Sequence, residues 1–382
     1  MHQNKKSKRF KIILSLVLLI FSEICFGQTA KDYFNSGYEK YNAGNYEGAL
    51  IDYNKAINLN PNYLEAYLYR ANIKSLLQDF KGALIDNDKA IRLKPNDAYV
   101  YNERATTKLS SGDAIGAMED VNRAIKLNPN YSEAYRQRAG IKSYNDYEGA
   151  KQDYTIAISL DTVNINAYLG RASIEEYKDY EGAIQDFNKA IELKPDFSYA
   201  FFCRGNAKYG HAMDVFGKIK FKHLEENPND YFFKPDISGS LLNYFVEAMK
   251  DYSQAIKLDS KYVAAYQCRA KVKSMLDDKR GAILDYDKVV MLNPSLDRTY
   301  IETDIIYEKL GDLKTEVGDY NGAILDYTKR IVLHPDNALL YNKRGIAKMQ
   351  IGDINGACID WSKAGEFGDA KAYELIKENC NK

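Results

Sequence analysis

Between residues 30 and 366, small and aromatic positions return in a fixed order about every 34 residues. Each round is numbered so that its proline (Pro61, Pro95, Pro129, Pro195, Pro294, Pro335) falls at position 32. Position 4 is then aromatic in all nine rounds, from Tyr33 and Tyr67 to Tyr300 and Tyr341. Position 8 is Gly or Ala in eight rounds, with Asp304 the exception, and position 20 is alanine in all nine, from Ala49 to Ala357. Position 27 is alanine in seven, with Val289 and Arg330 departing. Small side chains at 8, 20 and 27 let two helices approach closely, and aromatic residues at 4, 17 and 24 fill the space between rounds. Gly-Asp or a relative (Gly112-Asp113, Gly352-Asp353) ends the first helix, A, and caps the second, B. The proline then stops helix B.

The centre of each round is one octapeptide, written GALIDYNK from residue 48, GAILDYDK from 281 and GACIDWSK from 356. Its nine copies start 34, 34, 33, 33, 65, 34, 41 and 34 residues apart. This period, with these side-chain sizes, resembles the tetratricopeptide repeat over nearly all of residues 30–366. The resemblance implies an all-α fold, an α-solenoid (right-handed superhelix) of about nine helix-turn-helix units. One unit cannot bury its own apolar face, so the units must stack. The tail DAKAYELIKENCNK, from Asp369, is amphipathic and is expected to cap the last unit. The run WSKAGEFGDAKAYELI resembles the related Sel1-type repeat. The expected organisation is a signal peptide at 1–27, units one to five and the first helix of unit six at 28–208, an insertion at 209–246, the remaining units at 247–366, and a capping helix at 367–382.

Two positions depart from the family pattern. Where relatives carry Leu at 7 and Tyr at 11, this chain writes Arg (Arg70, Arg104, Arg138, Arg171, Arg204, Arg269, Arg344) and Lys (Lys74, Lys108, Lys142, Lys208, Lys273, Lys348). Like charges four apart on a helix repel unless something answers them. Position 23 is Asp in all nine rounds, from Asp52 to Asp360, so a ladder of Arg–Asp pairs is expected. A basic stripe for an acidic ligand is the rival reading, weakened because the evenly spaced acids neutralise it.

The array breaks its rule twice. Round six carries 31 extra residues between Lys208 and Ala248, rich in aromatics and holding His211 and His223. They form either a functional loop, able to fold over the groove as a lid, or an elongated hairpin with its own aromatic core. In round eight, 23 residues separate Tyr300 from Ala323 where 16 are usual, which suggests a hairpin lengthened by about two turns.

Composition enters where it limits function. A basic head (Lys5, Lys6, Lys8, Arg9, Lys11) precedes the apolar run IILSLVLLIF, residues 12–21. Ten residues rise about 15 Å as a helix, half of a bilayer core, so a cleaved signal peptide is expected and no transmembrane segment remains in the mature chain. Its removal leaves 48 basic and 52 acidic residues, a net charge of −4 with no global attraction for nucleic acid. Among the remaining cysteines, Cys203 and Cys268 occupy equivalent positions in neighbouring units, beyond disulfide reach, and read as free thiols. Cys358, on the last helix B, and Cys380, ending the capping helix, are brought together by antiparallel packing and are a possible disulfide.

No GxSxG, HExxH, Walker or GxGxxG motif occurs, and His211 with His223 lacks the further ligands a metal needs. No catalytic, cofactor or metal residue is therefore assigned, and the expected function is non-enzymatic. The family resemblance implies a concave groove built from helix A positions 2, 5, 9, 12 and 13. Here these are Tyr38, Tyr41, Asn72, Tyr99, Asn102, Arg136, Tyr144, Tyr177, Tyr199, Phe202 and Asn206. Such a mixed Tyr/Asn surface suits a protein or peptide partner. The alternative is a structural envelope protein that self-associates. The sequence sets neither the partner's identity nor the oligomeric state.

Protein from its native host should begin at Gln28 by intact-mass measurement. A mass that retains residues 1–27, or one that starts at a diacylated Cys25, would overturn the export reading.

Overall fold

Each round of the pattern folds into two helices, and the computed structural model describes them over residues 28–176, 178–228, 230, 233–293 and 303–380, without the side chains of 303 and 304. The signal segment, Tyr177, Pro294 and Tyr300 lie outside the described residues. Two compact units are present, 1–170 and 171–382. In the first, α1 (Ala30–Asn42) packs on α2 (Tyr46–Leu59), and α3 (Leu64–Leu76) on α4 (Phe80–Leu93). Two further pairs follow: α5 (Ala98–Ser110) on α6 (Ala114–Leu127), and α7 (Ser132–Lys142) on α8 (Tyr147–Leu160). Helix α9 (Ile165–Glu175) contains the boundary.

The second unit continues with α10 (Tyr180–Leu193), then α11 (Ser198–Glu226) on α12 (Gly239–Leu258) and α13 (Val263–Met275) on α14 (Lys279–Leu292). Next come α15 (Thr303–Glu316) on α16 (Tyr320–Leu333) and α17 (Ala338–Gln350) on α18 (Ile354–Glu366). Helix α19 (Ala370–Asn379) packs on α18 and closes the chain. The fold is an all-α solenoid, with no strand among the described residues.

The octapeptide now has a physical explanation. All nine position-20 alanines are fully buried at the A–B contact. The preceding glycine belongs to the helix cap. Helix α4 starts at the N-cap Asp79, whose side chain accepts from the Gly82 amide, and the same arrangement opens seven other B helices. A Cβ at Gly82, Gly116 or Gly281 would fall within 3.0 Å of the capping carboxylate, so only glycine lets the cap close. Round six writes Glu247 there instead, and its helix B is the one that does not begin at that point.

The charged ladder is present in each unit. Seven position-7 arginines grip the position-23 aspartate of their own round through Nε and Nη2, as Arg104 grips Asp120 at 2.8 and 2.6 Å. A position-11 lysine takes the same carboxylate: Lys74 on Asp86, Lys108 on Asp120 and Lys348 on Asp360, at 2.8–2.9 Å. In six rounds the arginine's remaining Nη1 reaches back to position 25 of the previous round: Asn54, Asp88, Asn122, Asn188, Ser253 and Thr328. In the same six the guanidinium lies over the position-4 ring, 5.3–5.9 Å from its centre. The lysine and arginine therefore answer a buried acid and are not a free basic stripe.

The break in round six resolves into helix. The round-six insertion lengthens α11 to 29 residues and α12 to 20, and packs Tyr209, Met213 and Phe216 around Leu241 and Phe245. It is the elongated hairpin with an aromatic core. His211 stacks on Tyr244 and His223 on Phe233, at separate places on α11.

Round eight requires a correction. Its hairpin is not lengthened; α15 and α16 have 14 residues each, and the extra residues precede α15. The position-4 aromatic is Tyr307, not Tyr300, and Gly311, not Asp304, stands at position 8. A Cβ on Gly311 would meet the Tyr327 ring as one on Gly205 would meet Tyr252. Lys329 lies over Tyr307 as Lys89 lies over Tyr67. Cys358 and Cys380 are joined as a disulfide with Cα atoms 5.9 Å apart, and Cys203 and Cys268 are not disulfide-bonded.

Replacing Asp120 by Ala should strip Arg104 and Lys108 of their shared partner and cost about 2–4 kcal/mol in denaturant unfolding, below the full buried-pair range because both cations keep some water. Lys189→Ala, which removes the exposed pair with Glu192, should cost less than about 0.5 kcal/mol. Equal melting of Asp120→Ala and the parent would show that the ladder carries no stability. In unreduced, denatured protein from the native host, only Cys203 and Cys268 should alkylate, and Cys358 and Cys380 only after reduction.

Candidate functional site

Positions 4, 7, 8, 11, 20 and 23 are consumed by packing and by the ladder, so a site must come from the remaining faces of helix A. In the first unit these faces form an open hollow of about 530 Å³. Helix α1 contributes Tyr38, Tyr41 and Asn42, α3 contributes Glu65, Leu68, Tyr69 and Asn72, and α5 contributes Tyr99 and Glu103. Tyr69 sits at its centre, edge-on to Tyr38 (5.4 Å, 90°) and to Tyr41 (5.7 Å, 85°). The Tyr41 hydroxyl donates to Asn72 Oδ1 at 3.0 Å, fixing both side chains across neighbouring repeats. Tyr99 and Glu103 stand one helical turn apart on α5.

Burial, then the Glu103 charge, raises the Tyr99 phenol to about 12, so it remains a neutral donor at physiological pH. Burial also raises Glu103 above the usual carboxylate range; the Tyr99 hydroxyl opposes this and the Glu133 charge adds to it. A second hollow of about 520 Å³ adjoins across Tyr99, walled by Pro95, Leu127 and Tyr131 among others.

The sequence-expected groove residues divide into three groups. Tyr38, Tyr41, Asn72 and Tyr99 meet in this hollow. Asn102 and Phe202 do not face open solvent as expected: Asn102 is 2% exposed, and Phe202 packs on Tyr252 and Tyr262 in the core of unit two. Both stand at position 5, which the start of the following A helix covers, as Asn342 shows by donating to the α19 N-cap Asp369. Arg136 is held by Glu133 on its own helix. Tyr144 lies beyond the end of α7 and is 92% exposed, apart from the hollow. Tyr177 lies outside the described residues.

In the second unit, Tyr199 is half-exposed and is raised to about 12, first by its hydrogen bond to Cys203. Burial raises the Cys203 thiol to about 11, which keeps it unreactive. Asn206 accepts from the Tyr252 hydroxyl at 3.0 Å.

Sequence reading missed Tyr69, Glu65 and Glu103. Tyr69 and Glu103 occupy position 6, which changes from Asn35 through Tyr69, Glu103 and Gln137 to Gly170 while its neighbours at 4, 7 and 8 hold constant. That variability within a fixed frame was the available signal. Among the described residues no group of three His, Cys, Asp or Glu is placed to hold a metal, and no helix is long and apolar enough to cross a membrane.

Two segments match tetratricopeptide-repeat family models, 33–63 ("Tetratricopeptide repeat") and 176–211 ("TPR repeat"). No curated protein matches the chain. Among solved structures, the C-terminal part of a TPR repeat-containing protein from Cytophaga hutchinsonii is 18% identical, with a TM-score of 0.52 over 72% of this chain and 98% of that one. A tetratricopeptide repeat protein from Parabacteroides merdae is 19% identical, with a TM-score of 0.47 over 76% of this chain and 100% of that one. The chain thus resembles tetratricopeptide-repeat proteins in those two segments and shares their fold.

Proposed function

We propose that the chain is an exported, non-enzymatic scaffold that holds a protein or peptide partner against the A helices of its first three repeats. The observation that carries this reading is the open hollow between α1, α3 and α5, lined by four tyrosines and two carboxylates. Repeat proteins of this family bind protein partners, and broad rings with polar tips give contact area at low entropic cost. The N-terminal segment supports export, and the disulfide between Cys358 and Cys380 is consistent with an oxidising compartment.

A second reading, self-association, has its own observation in the second unit. Leu284, Leu325 and Ile359 occupy the same position of α14, α16 and α18 and are all exposed, with Met291 and Val332 beside them. A concentration-dependent mass in solution that disappears in Leu284→Ser/Leu325→Ser would favour it.

The groove is tested by Tyr38→Ala/Tyr99→Ala. Both rings are partly exposed, so the melting temperature should change little, while capture of a partner from the envelope fraction should be lost. Lys189→Ala on helix B should capture normally. Undiminished capture by the double variant would move the binding surface elsewhere.

A further inference from the structure

The ladder shows how this protein treats a carboxylate withdrawn from water. Asp86, Asp120, Asp153, Asp251, Asp285 and Asp360 are each met by both an arginine and a lysine. Glu103 is treated differently. It is partly buried in the hollow of the first unit, beside the neutral Tyr99, and the charge it feels most is another acid, Glu133. The nine residues that line the hollow include a second carboxylate, Glu65, and no lysine or arginine. A desolvated carboxylate without a cation is costly, and the cost is recovered only when a cation arrives.

The walls favour the same ligand. Four tyrosines, Tyr38, Tyr41, Tyr69 and Tyr99, surround the carboxylates, and a ring face attracts a cation within about 6 Å of its centre. Of the two side-chain amides in the lining, Asn42 and Asn72, the second already accepts from Tyr41 at Oδ1, and the two glutamates are the charged acceptors. At about 530 Å³ the space exceeds one side chain and is open to solvent, which suits a residue carried on an extended segment. An anionic ligand finds no cation here, and a purely apolar one would bury Glu103 further without a partner.

Building on the scaffold reading above, we propose that the hollow of repeats one to three receives a basic side chain, arginine or lysine, of the bound partner segment, with Glu103 as its carboxylate and the tyrosines as its walls. Arginine fits best, because its planar fork can engage a carboxylate at two points while its face stacks on a ring.

The test uses the full mature chain and four fluorescein-labelled nonapeptides that differ only at the central residue: Arg, Lys, Gln or Glu. Polarisation should show binding of the Arg and Lys peptides, at least about tenfold weaker binding of the Gln peptide, and the weakest binding of the Glu peptide. Glu103→Gln keeps the size and removes only the charge. It should weaken the Arg peptide about tenfold without lowering the melting temperature, whereas a merely structural Glu103 would lower it.

Equal affinity for the Arg and Gln peptides, or an unaffected Glu103→Gln variant, overturns the proposal. Competition by free arginine or spermidine at concentrations matching the peptide also overturns it, since the site would then serve a small cation. The broader groove reading fails separately: it falls if Tyr38→Ala/Tyr99→Ala still captures the envelope partner, and stands if that variant loses capture while Glu103→Gln does not.

Discussion

One side chain per repeat, the arginine at position 7, fixes the arrangement of three helices. It sits on helix A, clamps an aspartate on helix B of the same round, and reaches with its remaining nitrogen to helix B of the round before. Its face rests on the position-4 ring, so the same contact ties the aromatic packing to the polar network. A buried carboxylate would ordinarily weaken the fold, and replacing it by apolar groups is often neutral or better. Here its oxygens are each met by charged donors, which removes the usual cost and makes the register between rounds specific. A repeat slipped by one turn would keep its own arginine–aspartate pair but lose the Nη1 contact to position 25 of the round before.

The two rounds without arginine follow the same rule. Round one carries Ser36 at position 7, and Ser36 with Lys40 suffices for Asp52: burial pushes its proton affinity up, but these two hydrogen bonds hold it below the ordinary value. Round eight has the buried Leu310 at position 7. Its Lys314 serves Asp326 and also approaches Asp287, which stands at position 25 of the round before, so the lysine substitutes for both arginine functions. One cation is a weaker answer than two. Burial prevails at Asp326, whose carboxyl is held above its usual range despite the lysine.

Much of this was legible in the sequence because the constraints are local and repeated. A charge pair that recurs in step across seven rounds, at positions facing each other on neighbouring helices, leaves little freedom of interpretation. The round-eight register was misread for an equally physical reason. Tyr300 precedes Tyr307 by seven residues, which is two helical turns, so either tyrosine presents the same helix face to a pattern search. Only the demand for a small residue beneath the position-24 ring separates them, and Gly311 meets it. Asn102 and Phe202 were misplaced because position 5 looks free within one repeat; the next repeat's first residues cover it. The insertion's helices were ambiguous because aromatic spacing alone does not distinguish a loop core from a lengthened hairpin.

Such an array acquires specificity only at positions its frame leaves free. Residues that satisfy the repeat must recur, and those that recur cannot distinguish one partner from another. Freedom lies at positions 2, 6, 9 and 12 of helix A, which touch neither the ladder nor the alanine contact. In the first three rounds this freedom places Glu65, Tyr69, Tyr99 and Glu103 side by side, in an array whose ladder answers its buried aspartates with cations. A neutral ladder makes an unanswered charge informative: Asp86 and Asp120 have their cations within the fold, whereas the lining of this hollow offers Glu65 and Glu103 none.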